Sequence, residues 1–165
     1  MSYFELAQLN IAWMKEPLDS PLLADFVANL DRINALADRS PGFVWRLETD
    51  EGDATALRPL GDDVLVNMSV WKDLESLHAY VYKSDHARIM SRRKEWFHRM
   101  QEAYSVLWWV PTGHRPDIVE AKRKLDALRF HGPHAEAFTF RKAFPAPGAG
   151  RPWDVQDLSE ECPAG

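Results

Sequence analysis

The chain has 165 residues, 45% of them hydrophobic, which suffices to bury the core of one domain of roughly 100–150 residues with some chain to spare. A formal net charge of −5 gives no global positive field to attract nucleic acid or an anionic membrane surface. The one cysteine, Cys162, excludes an internal disulfide framework and a cysteine zinc cage. No stretch approaches the roughly 20 apolar residues that cross a bilayer, and the start MSYFELAQLN has neither a basic region nor an apolar run. A soluble, cytoplasmic chain is expected. Seven tryptophans exceed the needs of a small core, and indoles also line pockets and interfaces.

Tyr3–Trp13 alternates as a strand, with Ala7, Leu9, Ile11 and Trp13 on one face and Phe4, Leu6, Gln8, Asn10 and Ala12 on the other. Asp19-Ser20-Pro21 supplies a cap and a proline suited to the first helical position. Leu22, Leu23, Phe26, Val27, Leu30, Ile33 and Leu36 then recur at helical spacing, so a helix is predicted from Pro21 to about Asp38, stopped by Ser40-Pro41-Gly42. Phe43–Glu48 reads as a strand, and the polar, glycine-containing Thr49–Asp63 as a loop leading to an antiparallel partner, Val64–Trp71. In that partner Val64, Val66, Met68 and Val70 form an apolar face, and Asn67 and Trp71 share the opposite one.

Asp73 caps the next predicted helix, with Leu74, Leu77, His78 and Val81 as its apolar stripe, and Ser84-Asp85 interrupts it. A second helix is predicted from His86 to about Glu102, then a strand Tyr104–Val110 ended by Pro111-Thr112-Gly113. Pro116 reads as the first position of a further helix carrying Ile118, Val119, Ala121, Leu125 and Leu128, which ends before Gly132-Pro133. Ala137–Arg141 adds a short edge strand, and the proline-, glycine- and acid-rich 145–165 reads as a flexible tail.

The order is β-α-β-β-α-β, so the expected fold class is α+β and ferredoxin-like: a four-stranded antiparallel sheet with helices on one face. The expected organisation is a single domain over 1–144, with a core at 3–110, an extension at 114–144 and the tail beyond. One sheet face is left bare in this scheme, and a second copy packed face to face would cover it, so a homodimer is expected.

The segment VWKDLESLHAYVYKSDH, with SPGFVWRL, WWVPTGHRP and HGPHAEAFTFRKAFPAP, resembles the dimeric α/β-barrel superfamily that contains the antibiotic biosynthesis monooxygenase-like proteins. The last three stretches resemble an uncharacterised bacterial subfamily with an extra C-terminal helix and strand. The resemblance spans about Phe4 to Pro147 and implies the fold more specifically than a reaction. In quinone-forming members, oxygen is inserted into phenolic polyketides without flavin, metal or haem, so no cofactor is implied. An Asn and a Trp of the third strand belong to their site, and Asn67 and Trp71 match that pair. Haem-degrading members use a first-strand Asn, which Asn10 matches; at the helical Trp position stands Tyr80, and His86 falls before the haem-ligating His, so haem is the weaker implication.

By this resemblance Asn67 donates a hydrogen bond to a phenolate or enolate oxygen, Trp71 walls the pocket, and the ligand is a small aromatic or polyketide-type molecule. His86 titrates near neutrality and is the candidate general base. His114, in a turn after the last strand, and Arg46, Gln8 and Tyr82 are further pocket candidates. The structural readings stand beside these: Asn67 as a satisfied amide, Trp71 as a core indole, His86 and His114 as surface residues. His131 and His134 lack a third metal ligand, and Arg88, Arg92, Arg93 and Lys94 form a basic helix face that is ordinarily solvated. Phosphate loops, nucleophile elbows and H-E-x-x-H pairs are absent. The candidate activities are a cofactor-independent monooxygenase, a non-redox cyclase or isomerase of the same fold, and a non-catalytic small-molecule binder.

Overall fold

A computed structural model describes residues 3–49 and 52–149; Cys162 and nearly all of the tail lie outside the described residues. The elements are β1 (Phe4–Trp13), a 3₁₀ turn (Pro21–Leu23) running into α1 (Ala24–Arg39), β2 (Phe43–Arg46), β3 (Val64–Trp71), α2 (Leu74–Lys83), α3 (Asp85–Ser91), α4 (Arg93–Trp96), β4 (Ser105–Pro111) and α5 (Ile118–His131). The strands form one antiparallel sheet in the order β2-β3-β1-β4, the ferredoxin-like α+β arrangement.

Register sets the faces. Leu6 lies opposite Trp71, Gln8 opposite Ser69 and Asn10 opposite Asn67 across β1 and β3, while Gln8 faces Leu107 and Asn10 faces Ser105 across β1 and β4. These residues therefore share one face, and Ala7, Leu9, Val66, Met68, Val70, Val106 and Trp108 share the other. The helices that follow β1 and β3 cover the first face in two apolar patches. Trp71, Leu6 and Leu107 pack with Ala37 of α1 and Leu74 and Leu77 of α2. At the far end Leu65 and Met14 pack with Leu23, Trp96 and Phe97.

The second face is not bare. Ala121, Leu125 and Leu128 of α5 join its cluster, and Leu57 and Leu60 from the β2–β3 loop pack against it. Leu9, Met68, Val70, Val106 and Trp108 are all buried within the chain itself. Burial of Leu125 and Leu128 contributes about 1.5–3 kcal/mol each, a sizeable part of a total of roughly 5–15 kcal/mol, so α5 is a structural layer. The C-terminal helix predicted from sequence thus packs on the face that the β-α-β-β-α-β scheme leaves bare.

Other boundaries differ for local reasons. The helix predicted over His86–Glu102 ends at Trp96, because the chain there turns extended and bridges to Met14, with Lys15 N donating to Trp96 O and His98 N to Trp13 O. This lets the adjacent Trp96 and Phe97 both enter one apolar patch. Pro116 precedes the helix and Asp117 is its cap, with Asp117 Oδ1 accepting from Glu120 N at 2.8 Å. The edge strand predicted at Ala137–Arg141 is reduced to two isolated bridges, Ala137 to His134 and Phe138 to Leu107, the latter made by a reciprocal pair of backbone hydrogen bonds on the outer edge of β4. Ser20 precedes the 3₁₀ turn without a side-chain cap bond, whereas Asp73 accepts from Ser76 N as the sequence predicts, and Ser84, read from sequence only as a break, caps α3 by accepting from His86 N. No helix among the described residues is long and apolar enough to cross a membrane.

Candidate functional site

Between the two apolar patches of the helix-covered face runs a polar belt: Gln8, Asn10, Asn67 and Ser69, with Ser105 at its β4 edge. Asn67 is exposed although it lies mid-strand beneath the helical layer, and Asn10 beside it is half-buried. Of the sixteen residues of α1 only Ala37, near the C-terminal end, is buried, and Leu30 and Ile33 remain half-exposed. α1 therefore buries little of its own surface, and Asn67 stays open to solvent.

The belt is wired together. Gln8 Nε2 donates to Asn67 Oδ1 at 2.7 Å and to Ser69 Oγ at 2.8 Å, and Trp71 Nε1 donates to the same Ser69 Oγ at 2.8 Å. Trp71 is fully buried. Its ring stacks on Tyr80 (centroids 5.0 Å, interplanar 24°) and meets Phe43 edge-on at 5.4 Å. Tyr80 in turn lies 4.7 Å from the His86 ring and donates from its hydroxyl to Ile33 O at 3.3 Å. Burial pushes the Tyr80 phenol far above its ordinary range. Trp71 is therefore the hub between the polar belt and the His86 side of the site, and it is buried where Asn67 is open to solvent.

His86 occupies the first turn of α3, where Ser84 caps the helix, and its Nδ1 is 3.2 Å from Val81 O. Burial lowers its pKa, an effect partly offset by that carbonyl. The ring is thus neutral at pH 7, and with Nδ1–H directed at the carbonyl, Nε2 carries the lone pair that accepts a proton.

The remaining candidates are placed elsewhere or already engaged. Arg46 Nε binds Asp38 Oδ1 at 2.8 Å, Nη1 binds Gly52 O at 2.7 Å and Nη2 reaches Glu48 Oε2 at 3.1 Å, so it clamps the end of α1 and the β2–β3 loop to the sheet edge. Tyr82 belongs to a separate ring cluster, 4.7 Å from His78 and 5.4 Å from Phe140. His114 lies at the α5 end, its Nε2 2.7 Å from Glu120 Oε1, and Glu120 Oε2 accepts from Trp108 Nε1 at 2.9 Å. These groups line a concavity of about 310 Å³, and a larger open groove of about 640 Å³ is lined by Trp13, Lys15, Leu18, Arg58, Asp63 and His98; neither includes Asn67, Trp71 or His86. Arg92 pairs with Asp25 and Glu95, and Arg93 lies over the Tyr104 ring at 4.1 Å, so these two are engaged within the fold, while Arg88 and Lys94 are exposed on the helix surface. The rings of His131 and His134 are 5.8 Å apart, and no group of three or more His, Cys, Asp or Glu among the described residues could hold a metal ion. Ser69 was not singled out from sequence; its position two residues from both Asn67 and Trp71, on the same strand face, is the signal that finds it.

Among solved structures the chain is similar to a protein of unknown function from Nitrosomonas europaea, with 14% identity, a TM-score of 0.43, and coverage of 70% of this chain and 95% of that one. It is also similar to SnoaB, a cofactor-independent oxygenase from Streptomyces nogalater, with 17% identity, a TM-score of 0.42, and coverage of 69% and 96%. No curated protein matches it. A family described as "Domain of unknown function (DUF3291)" matches residues 5–153, nearly the whole chain, and the protein belongs to that family.

Proposed function

We propose that the protein is a monooxygenase-like enzyme, independent of a cofactor, acting on an aromatic or polyketide-type small molecule bound above Asn67. One observation carries this reading: a polar amide is exposed in the middle of a central strand, on the covered face of the sheet, with its carbonyl already held by Gln8. Its Nδ2 donors, which have no hydrogen-bond partner among the described residues, can then meet an oxygen on which negative charge develops. An acidic hydroxyl of the substrate gives up its proton, with His86, kept neutral by burial and in ring contact with Tyr80, as the candidate base. The resulting phenolate is electron-rich enough to reduce dioxygen itself. One oxygen atom enters the ring as a quinone carbonyl, and the other leaves as water with the two hydrogens lost from the substrate. Asn10 flanks the bound ring, and Trp71 sets the positions of Ser69 and Tyr80 instead of touching substrate. The expected homodimer stays part of this reading; α5 packs on the sheet face that the sequence scheme leaves bare, and gel filtration with light scattering tests the assembly.

The test is oxygen uptake with a series of phenols and hydroxynaphthalenes, followed together with quinone absorbance. Uptake of one dioxygen per quinone is expected. Asn67→Ala should lower kcat by roughly 10²–10³-fold, as removal of an oxyanion donor does, and His86→Ala by roughly 10²–10⁴-fold. Turnover without oxygen uptake would replace this reading with the cyclase or isomerase. Saturable binding without turnover would replace it with the binder.

A further inference from the structure

We infer that Gln8 is the positioning residue that sets the polarity of this site, so that the ligand class it selects presents an anionic oxygen to Asn67. This rests on the reading of Asn67 as the ligand-binding amide. Gln8 is buried, with 7% of its surface exposed, and stands on the central strand β1 opposite Ser69. Its Nε2 carries two protons, and both are committed, one to Asn67 Oδ1 and one to Ser69 Oγ. Ser69 Oγ is fixed in turn by the indole of Trp71, a group that can only donate and that is locked between Phe43 and Tyr80.

The carbonyl and NH₂ of a primary amide point in different directions from one planar carbon. Engaging Oδ1 of Asn67 from the Gln8 side therefore turns Nδ2 toward solvent. With the opposite orientation Asn67 would present a lone pair and repel an oxyanion. Donation from Gln8 also polarises the Asn67 amide and strengthens its outward N–H groups. Gln8 touches no ligand in this arrangement; it acts through Asn67.

An ionised carboxylate can accept hydrogen bonds but not donate them. In Gln8→Glu the Asn67 amide should accordingly turn over, donating Nδ2 to the new carboxylate and facing its carbonyl outward. The probe is 4-nitrophenol, whose neutral and ionised forms are distinguished by absorbance, titrated against protein across the probe's own ionisation range. The wild type should bind the phenolate about tenfold or more tighter than the phenol, the size of effect expected for a hydrogen bond to a charged acceptor. Gln8→Glu and Gln8→Leu should lose that preference, and Asn67→Ala should lose it too, with circular dichroism and thermal unfolding establishing that each variant is folded.

If Asn67→Ala abolishes the preference and folded Gln8→Glu retains it, the role of Gln8 is overturned while the reading of Asn67 stands. If Asn67→Ala leaves the preference intact, that reading itself fails. Should the Gln8 variants not fold, side-chain amide exchange in the wild type decides the matter. Gln8 Nε2 protons should exchange with solvent more slowly than Asn67 Nδ2 protons, and only the latter should shift when 4-nitrophenolate is added; the reverse pattern overturns the inference.

Discussion

Replacement of Leu125 by alanine measures how firmly α5 is seated on the sheet. Leu125 is 1% exposed and packs into the cluster formed by Leu9, Met68, Val106 and Trp108. The substitution removes about three methylene equivalents, worth roughly 2.4 kcal/mol at about 0.8 kcal/mol each. Incomplete collapse of the cavity raises the expected cost to about 3–4 kcal/mol, within the usual range of about 2–5 for a buried leucine. For a chain of this size that lowers Tm by roughly 6–16 °C, at about 2–4 °C per kcal/mol. The assay is urea unfolding at fixed protein concentration, with light scattering to follow association. Phe130→Ala on the same helix is the control: its ring is 84% exposed, and a change within about 0.5 kcal/mol is expected. A Leu125→Ala cost below about 1 kcal/mol would refute the packing of α5 on this face and return the sheet to a partner outside the chain.

Three further outcomes follow from local geometry. Gly42 has φ of 82°, and a Cβ there would lie 2.1 Å from Ser76 Oγ, so Gly42→Ala should lose about 1–3 kcal/mol by thermal unfolding. Asp73→Ala removes acceptance from both Ser76 N and Ser76 Oγ at the start of α2 and should cost about 1 kcal/mol in the same assay. His86 has a folded-state pKa below its unfolded value, so the unfolded chain takes up the proton first. Its contribution to stability is complete above the unfolded value of about 6.5 and falls away as pH drops through the lower folded value, and His86→Gln should flatten that part of the stability–pH curve.

Which residues share a face within each strand was legible because period-2 alternation is local: Gln8 and Asn10 share one face of β1, and Asn67 and Trp71 one face of β3, but that the two pairs meet on the same side of the sheet comes from the register. Exposure was not legible, since Trp71 and Asn67 on that same face differ completely according to which helix lies above them. Trp71 sits beneath α2 and Tyr80, while Asn67 stays open to solvent. The helical stripe of α5 was readable, but its docking face was not, because nothing within the helix specifies which of two apolar surfaces it meets. Arg46 illustrates the same limit. Its strand position suggested a pocket, and three partners distant from its own strand face, or beyond the strand's end, consume its donors. The early stop of the helix at Trp96 reflects a bridge to Met14, far away in sequence.

The attachment of α5 also changes what burying this sheet face depends on. The short 112–117 connection ties the helix to the end of β4, so docking is a unimolecular step at an effective concentration that a short tether sets in the millimolar range. A face covered by a separate subunit would be exposed on dilution, at a concentration fixed by the dissociation constant. Here α5 travels with the sheet, so the burial that this helix supplies does not depend on how much of the protein is present.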